Sequence, residues 1–439
     1  MRIIQKMVLF MFVCAFLIVI PIVSNAETSG TCGENVTWVL DDFGTLTISG
    51  AGDIAFSDST QTPWYDNRDS IKSVVVEEGI TTIGKASFFD CNNLESVNIP
   101  SSVMSIGNQA FQFCTSLKNV TIPNNISKIG YRAFCYCESL EDITFPDGVT
   151  SIGAYAFQYC SALKNITFPD SITTIGDYAF DGCTALENVY IANLSSWCRI
   201  DFNMNSNPLS YAKNLYLDNV LLTDLVIPSE ITSVAGSAFY GYTSLESITL
   251  SDGVSFIGDY AFFGCSGVKS VELGKGLNYI GSHAFMNCNS LETVTIPNGV
   301  TTLGYKTFRG CGNLKMVKLP DYLTFIGEEA FYECNNLVDI TIPKNVATIE
   351  NFAFYDCHNL TEIILPANVT KIRSGAFLKC DGLKAVFFLG TKEKWQSFGL
   401  SVPKTTTVYG VKAPRCPFIC CFRQCASDET NKGFRIEEY

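Results

Sequence analysis

The chain repeats one pattern of apolar and polar residues every 23 positions. In one unit the positions that carry the pattern are Leu140, Ile143, Phe145, Pro146, Val149, Ile152, Gly153, Ala156, Phe157 and Cys160. Ile143 and Phe145 alternate with polar neighbours, which predicts a strand with one apolar face, and Pro146 ends this strand because proline has no N–H to donate. Gly153 suits a tight corner, and the later apolar residues would fill the returning side. Because one unit cannot bury its apolar face alone, the period predicts a solenoid of stacked turns.

A phenylalanine marks the same position in all twelve aligned units: Phe88, Phe111, Phe134, Phe157, Phe180, Phe239, Phe262, Phe285, Phe308, Phe331, Phe354 and Phe377. Cysteine follows three residues later in eleven units, with Tyr242 as the exception. Alanine precedes the phenylalanine in ten units, with Ser87 and Thr307 in the other two. Small residues beside a large one allow stacked turns to interdigitate at native density, so this layer is predicted to be buried.

The strand positions predict about fourteen parallel strands, one for each turn of the solenoid. Their first apolar residues are Ile71, Leu94, Leu117, Leu140, Leu163, Leu186, Leu222, Leu245, Val268, Leu291, Leu314, Leu337, Leu360 and Leu383. The interval from Leu186 to Leu222 is one repeat plus thirteen residues, which indicates an insertion within the array. Asp218-Asn219 between two apolar runs predicts a hairpin turn there. Insertions of this kind commonly lie on a binding face.

Both ends of a solenoid need a cap, because an open end exposes a core layer and unpaired strand edges. Residues 36–49 alternate as a hairpin, with Trp38 and Trp64 as lids, and a segment around Trp395 would close the other end. The predicted organisation is a signal peptide (1–26), an N-terminal β cap (27–70), repeats (71–191), an inserted excursion (192–221), further repeats (222–388), a C-terminal cap (389–411) and a cysteine-containing tail (412–439) that is expected to be disordered.

The repeat resembles a known family. The run L-x-x-[VI]-x-[IL]-P-x-x-[VI]-x-x-I-G-x-x-A-F-x-x-C, well represented from Leu163 to Cys183, is similar to the 23-residue leucine-rich repeats of BspA-type surface proteins. The resemblance covers about residues 71–388 and implies a β-rich, curved leucine-rich-repeat solenoid with short helical or irregular turns on its convex side. It also implies a place at the cell surface and, for some members, binding of matrix proteins such as fibronectin or adhesion to host cells. The chain departs from the repeat at Glu350 and Arg373, in place of the corner glycine, and at Ser251 and Gly274, in place of the proline.

The N-terminal segment 1–26 has the pattern of a secretory signal. Arg2 and Lys6 precede an apolar run that ends before Ser24-Asn25-Ala26, a small-residue cleavage site. An uncleaved membrane anchor is the alternative, because the run, Met7 to Val23, is at the short limit of a spanning helix. The formal net charge of −13 disfavours nucleic acid and anionic lipid as partners. We therefore expect an exported protein without a membrane span after signal removal.

The repeated cysteines have two interpretations. Export favours disulfides, and adjacent turns would bring equivalent Cα atoms to a suitable distance. Their odd number and apolar setting instead favour free, buried thiols that act as small core residues. The second cysteine cluster, from Cys416 to Cys425, has the density of a zinc site, but adjacent Cys420 and Cys421 do not fit the usual ligand spacing, so reactive or pairing thiols are preferred there.

The sequence offers little for catalysis. His283 and His358 are the two histidines, they lie three repeats apart, and each occupies a variable repeat position. A serine or cysteine nucleophile needs a base within hydrogen-bond reach, and the carboxylates are scattered one per turn. We expect no enzyme, no cofactor and no metal site.

The outward positions of the strands are the candidate binding surface. They are mostly threonine, serine, asparagine and aspartate, which also suits a solvated sheet without a ligand. The candidate binding residues are Tyr190, Trp197, Asn188, Thr167 and Asp224, around the excursion. Tyr190 is proposed as an aromatic anchor, whereas Trp197 either shares that role or packs the excursion. The expected function is noncatalytic binding of an extracellular protein or glycan in adhesion to host or matrix components, and the alternative is a structural spacer in a surface layer. The oligomeric state stays open.

Overall fold

A computed structural model describes residues 28–54, 56, 59–203, 205–400, 402–410 and 435–436 of the chain. The predicted signal peptide and the cluster from Cys416 to Cys425 lie outside these residues. Of the segment 412–439, expected to be disordered, residues 435–436 form a short strand, which that expectation did not include.

The protein is a succession of stacked turns, and its strands are numbered β1–β35 in chain order. The N-terminal strands are β1 (Thr28–Gly33), β2 (Val36–Leu40), β3 (Thr45–Gly50) and β4 (Gly52–Ile54). Up to the end of the excursion, the long strands are β5 (Ser73–Val76), β7 (Ser96–Asn98), β9 (Asn119–Val120), β11 (Asp142–Thr144), β13 (Asn165–Phe168), β15 (Asn188–Ile191) and β17 (Asn214–Leu217). Those after it are β19 (Asp224–Ile227), β21 (Ser247–Leu250), β23 (Ser270–Glu272), β25 (Thr293–Thr295), β27 (Met316–Lys318), β29 (Asp339–Thr341), β31 (Glu362–Leu365), β33 (Ala385–Phe388) and β34 (Thr407–Gly410).

A second ladder of short strands forms the returning side of the turns. These strands are β6 (Ile80–Ile83), β8 (Ser105–Ile106), β10 (Lys128–Ile129), β12 (Ser151–Ile152), β14 (Thr174–Ile175), β16 (Asp201–Phe202), β20 (Ser233–Val234), β22 (Phe256–Ile257), β24 (Tyr279–Ile280), β26 (Thr302–Leu303), β28 (Phe325–Ile326), β30 (Thr348–Ile349) and β32 (Lys371–Ile372). The remaining elements are β18 (Val220–Leu221), β35 (Arg435–Ile436), the helices α1 (Leu194–Trp197) and α2 (Lys392–Ser397), and 3₁₀ turns at Ser59–Gln61, Tyr65–Ser70 and Pro208–Ser210. The short strands of this second ladder were not predicted from the sequence.

Pairing within both ladders is parallel, and between regular turns it keeps the 23-residue register; the offset differs at the caps and at the excursion, as between Tyr190 and Tyr216. Ile143 pairs with Ile166 in the long-strand ladder, and Ile152 pairs with Ile175 in the short-strand ladder. The predicted N-terminal hairpin is present, since β2 and β3 are antiparallel with Trp38 opposite Ile48. The solenoid predicted from the period is confirmed.

An arch that contains the repeated phenylalanine joins each short strand to the next long strand. The residues two before and two after every one of the twelve phenylalanines have φ between +53° and +76°, a region that residues other than glycine seldom adopt. This alternation turns every second N–H toward the next turn, so that Gln109 donates to the carbonyl of Tyr131 and Phe111 donates to that of Ala133. The cross-turn hydrogen bonds therefore hold the unusual backbone conformation in place.

The core is a column of stacked side chains that runs along the solenoid. Successive phenylalanine rings lie 5.1–5.7 Å apart and within 21° of parallel. Beside them, ten cysteine thiols donate to the carbonyl of a phenylalanine of the preceding turn, as Cys160 does to Phe134 at 3.2 Å. Every cysteine in the described part of the chain is buried and unpaired with another cysteine. Burial raises the pKa of the Cys91 and Cys311 thiols to about 12.

A column of alternating charge follows one edge of the long strands. Its members are Lys72, Glu95, Lys118, Glu141, Lys164, Glu187 and Lys213 before the excursion ends, and Glu246, Lys269, Glu292 and Lys315 after it. Four neighbouring pairs form ion pairs of 2.8–3.5 Å with side chains about half exposed. Exposed pairs of this kind add little stability individually.

The departures from the repeat motif leave the turn intact. Glu350 and Arg373, in place of the corner glycine, donate their N–H groups to the carbonyls of Ile326 and Ile349, and Gly153 makes the equivalent bond in a regular turn. The side chains of Glu350 and Arg373 pair with each other across the two turns at 3.4 Å. One charged pair thus replaces two glycines at adjacent corners.

Candidate binding surface at the interrupted repeat

The excursion interrupts the columns of the core at one place. No phenylalanine of the column lies between Phe180 and Phe239, and Tyr242 replaces the cysteine of the next turn. The hydroxyl of Tyr242 donates to the carbonyl of Leu222 at 2.7 Å and accepts from the N–H of Leu215 at 3.3 Å. A longer polar side chain thus bridges the backbone where the regular stacking is broken.

Trp197 is a buried cap and not a surface anchor. Its side chain is 1% exposed, and its indole Nε1 donates to the carbonyl of Ala238 at 2.9 Å. In a regular turn the backbone N–H of the phenylalanine one repeat earlier donates to this carbonyl, as Phe88 does to Ala110. Since that phenylalanine is missing before Ala238, the indole supplies the N–H. The proposed ligand contact of Trp197 is therefore wrong, and its alternative as a packing residue holds.

The same device closes the N-terminal end of the solenoid. Trp64 is fully buried, stacks on Phe88 at 5.8 Å, and donates its indole N–H to the carbonyl of Ser87 at 2.9 Å. Ser87 and Ala238 both directly precede the first phenylalanine of a stack. The excursion therefore begins the second stack as the N-terminal cap begins the first.

The excursion shares several elements with the C-terminal end, although β16 and the 3₁₀ turn Pro208–Ser210 lie between α1 and β17. In both places a long strand leads to a short helix with a buried tryptophan, capped by Asn193 in α1 and by Thr391 in α2. A parallel strand in register follows, and then an antiparallel one: β15 pairs with β17 and β17 with β18, as β33 pairs with β34 and β34 with β35. Within the array, the excursion thus combines elements like those of the C-terminal end with a tryptophan cap like that of the N-terminal end.

The predicted hairpin is present at the C-terminal end of the excursion. Asp218 and Asn219, with φ of +50° and +63°, connect β17 to β18. Positive φ at both central residues is the conformation of the tight hairpin turns that suit strand twist. The hairpin separates the sheet that ends at β18 from the sheet that begins at β19.

Apolar side chains occupy the outward positions of the strands on both sides of this separation. Tyr190 and Tyr216 stack at 4.9 Å and 15°, and Leu221 pairs with Tyr216 across the hairpin. Val226 occupies the same outward position on β19 and is 60% exposed, and Leu221 is 39% exposed. We name Tyr190, Tyr216, Leu221 and Val226 the Tyr190 patch. Outward threonines occupy the same positions on the turns to either side, at Thr144 and Thr167 before the patch and at Thr249 after it.

Hydrogen-bonded polar side chains border the Tyr190 patch. Asn165 donates to Asp142 at 2.6 Å, Asn188 donates to Asn165 at 2.7 Å, and Asn214 donates to Asn188 at 2.8 Å. Across the hairpin, Asp224 accepts from the hydroxyl of Ser247, and this bond and one from Thr223 lower the pKa of its carboxyl group. The structure brings Thr167, Tyr190 and Asn188 together on neighbouring strands, and Asp224 starts the strand beyond the hairpin.

Two contributors to this surface were missed in the sequence. Asn214 and Tyr216 are the strand partners of Asn188 and Tyr190, but they lie farther along the chain than one repeat, so a search at the 23-residue period does not align them. The similarity of Asn188-Val-Tyr190 and Asn214-Leu-Tyr216 could have found them.

The two histidines lie in different turns and have different neighbours. His283 is stacked on Tyr260 at 4.2 Å, and burial and Lys306 lower the pKa of its imidazole. His358 lies 3.1 Å from Asp356, three turns farther along. Within the residues that the structure describes, no three metal-ligating side chains form a cluster. None of the helices in this part of the chain has the length and hydropathy of a transmembrane segment.

Comparisons with known proteins identify the type of repeat. The model of the BspA type leucine rich repeat region matches residues 61–187, 210–334 and 301–401 in six copies. Residues 188–209, which comprise strand β15 and the first part of the excursion, fall in none of these matches. No significant match was found among curated protein sequences.

Two solved structures are similar over most of the chain. A leucine-rich repeat protein from Eubacterium ventriosum is 31% identical, with 81% of this chain and 95% of that chain covered and a TM-score of 0.54. A leucine-rich repeat protein from Bacteroides ovatus is 27% identical, with 86% and 98% covered and a TM-score of 0.55. With its six matched copies and its uninterrupted register on both sides of the excursion, the chain belongs to the BspA-type leucine-rich repeat family.

Proposed function

We propose that the protein is an exported, noncatalytic binding protein that recognises an extracellular protein through the Tyr190 patch, in adhesion to host or matrix components. The observation that carries the proposal is the change of the outward threonine ladder to two tyrosines, a leucine and a valine at the interrupted repeat. Aromatic anchors surrounded by a polar rim are the common arrangement of a protein-binding hot spot.

The composition of the patch favours a protein over a charged polymer. The stacked tyrosines supply rigid apolar area, and the amides of Asn188 and Asn214 beside them offer directional hydrogen bonds. The net charge of −13 disfavours nucleic acid and anionic membranes. Family membership and the predicted signal peptide support an extracellular location.

The proposal predicts saturable binding that depends on the patch. Purified full-length protein is tested by biolayer interferometry against immobilised fibronectin, laminin and mucin. We expect the double substitution Tyr190→Ala and Val226→Ser to weaken binding to the recognised protein about tenfold, the effect of losing ~1.4 kcal/mol at a hot spot. Thr144→Ala, an outward position two turns before Tyr190, is the matched control and is expected to bind like the wild type.

Two outcomes would contradict this function. Saturable binding that the double variant leaves unchanged would move the site elsewhere on the molecule. Absence of binding together with regular, concentration-dependent self-association in light scattering would favour the spacer role in a surface layer.

A further inference from the structure

A cleft beside the excursion occupies the space that a regular turn would fill. It has a volume of about 410 Å³, and its walls include Asn205, Ser206, Ser210, Ser237, Tyr240 and Tyr260. This volume is within the ~300–1,000 Å³ of small-molecule sites. The cleft lies at the arch between β16 and β17 and shares no residue with the Tyr190 patch.

The missing turn leaves an aromatic face uncovered. Tyr240 stacks on Phe263 of the following turn at 4.7 Å and 10°. The residue one repeat before Tyr240 is Leu217, which lies in β17 and not in an arch. The equivalent Tyr332 of a regular turn has Tyr355 at 4.6 Å on one side and the guanidinium of Arg309 at 4.2 Å. Tyr240 is therefore an arch aromatic that lacks its partner on the excursion side.

The small side chain of Ser237 leaves further space in the cleft. Ser237 lies one repeat before Tyr260, at an arch position with φ of +58°. Tyr155 and Tyr178 occupy the same position in earlier turns, at φ of +60° and +56°, and their rings stack at 5.3 Å. A serine at position 237 leaves open the space that a ring fills elsewhere.

The polar groups of the cleft are neutral, and one of them has no partner. Ser206 is 1% exposed, and its Oγ makes no hydrogen bond to any group of the described chain. A buried hydroxyl without a partner is uncommon and costs free energy. Asn205 is exposed at the rim, and none of the described residues that line the cleft carries a charge. Burial also raises the pKa of Tyr240, which keeps its phenol neutral.

We propose that this cleft binds a sugar residue of a neutral saccharide, with the apolar face of the sugar ring on Tyr240 and its hydroxyl groups on Ser206 and Asn205. A sugar ring presents C–H groups on one face and hydroxyl groups around its edge, which matches one uncovered aromatic face beside amides and hydroxyls. The absence of cationic groups among the lining residues disfavours a phosphorylated or carboxylated ligand.

The test uses the intact protein and the methyl glycosides of galactose, glucose, mannose and N-acetylglucosamine. Binding is measured by isothermal titration calorimetry and by saturation-transfer NMR. We expect at least one glycoside to bind, with the strongest saturation transfer to its ring C–H protons. Tyr240→Ala should weaken this binding about tenfold, and Tyr332→Ala, the same position in a regular turn, should leave it unchanged.

Filling the cleft provides a second variant that does not depend on removing a core contact. Ser237→Tyr introduces the ring that Tyr155 and Tyr178 carry at the same backbone conformation, so we expect it to abolish glycoside binding without lowering the melting temperature. Arg132→Tyr, at the equivalent arch position of another turn, is the control and should bind normally.

Three results would overturn the saccharide site. They are absence of binding by all four glycosides, retention of binding by Ser237→Tyr, and binding of N-acetyltyrosinamide with the same dependence on Tyr240 while the glycosides fail. The double substitution at Tyr190 and Val226 is expected to leave glycoside binding intact, which separates this site from the Tyr190 patch.

Discussion

Single residues close this solenoid where its regular hydrogen bonds end. The carbonyls of Ser87 and Ala238 each lack the N–H of a preceding turn, and the indoles of Trp64 and Trp197 replace it. The two sites differ in one respect: Asn207 also donates to the carbonyl of Ala238, at 3.0 Å. Ser87 therefore depends on its tryptophan more than Ala238 does.

This difference predicts unequal costs for the same substitution. Trp64→Phe and Trp197→Phe both reduce buried area, but only Trp64→Phe leaves a buried carbonyl without a donor. We expect Trp64→Phe to lose about 1–3 kcal/mol more in the free energy of unfolding than Trp197→Phe. Urea unfolding followed by circular dichroism measures the two losses. Equal losses would show that the indole hydrogen bond is not what distinguishes the two caps.

The buried thiols make stability sensitive to alkaline pH. An exposed thiol ionises with a pKa near 9.0, whereas burial raises the pKa of Cys91 to about 12 and that of Cys288 well above the ordinary value. The thiol contribution is complete below pH 9 and is lost as pH rises toward the folded pKa, because the unfolded chain releases its protons first. Each such thiol should lower the free energy of unfolding by about 1.4 kcal/mol per pH unit in that range.

Urea unfolding of the reduced protein at pH 8, 9 and 10 tests this slope, with Cys288→Ala as the comparison. The variant should show a slope that is shallower by the share of one thiol. A slope identical to that of the wild type would contradict the assignment of the pH dependence to these groups.

At the scale of elements, the sequence predicts the structures that recur in every turn. It does not predict structures that form because a neighbouring turn is missing. The long strands, the buried phenylalanine layer and the hairpin at Asp218-Asn219 follow from periodicity and turn chemistry. The short strands do not, because a pair such as Ser151-Ile152 is too brief to show alternation. The burial of Trp197 and the cleft beside Tyr240 depend on a turn that is absent, which no local pattern encodes.

At the scale of the whole molecule, the excursion divides one solenoid into two stacks. The phenylalanine column and the thiol bonds are interrupted between Phe180 and Phe239, and one of the three breaks in the long-strand pairing lies there as well. In a repeat protein, stability is approximately the sum of each turn and its interfaces with its neighbours. A weaker interface at one place therefore predicts that the two stacks unfold separately.

Matched substitutions on the two sides test this division. Phe134→Ala and Phe308→Ala each remove a fully buried ring from the same position of a regular turn, at a cost of about 3–5 kcal/mol. In urea unfolding we expect two transitions. Phe134→Ala should shift the transition of the stack before the excursion, and Phe308→Ala should shift that of the stack after it. Hydrogen–deuterium exchange read by mass spectrometry assigns each transition to its side of the excursion. One transition displaced equally by both variants would contradict a division there.

Where it is continuous, from Lys72 to Lys213 and from Glu246 to Lys315, the alternating column of lysine and glutamate has a longer period than the backbone. The backbone repeats after every turn, but the charge returns to the same sign only after two turns, as from Lys118 to Lys164. Loss or gain of a single turn would set two like charges side by side, whereas loss or gain of two turns would keep every pair opposite. The column therefore opposes misregistered stacking in which one turn is skipped, and it makes pairs of turns the unit by which the array can lengthen without electrostatic conflict.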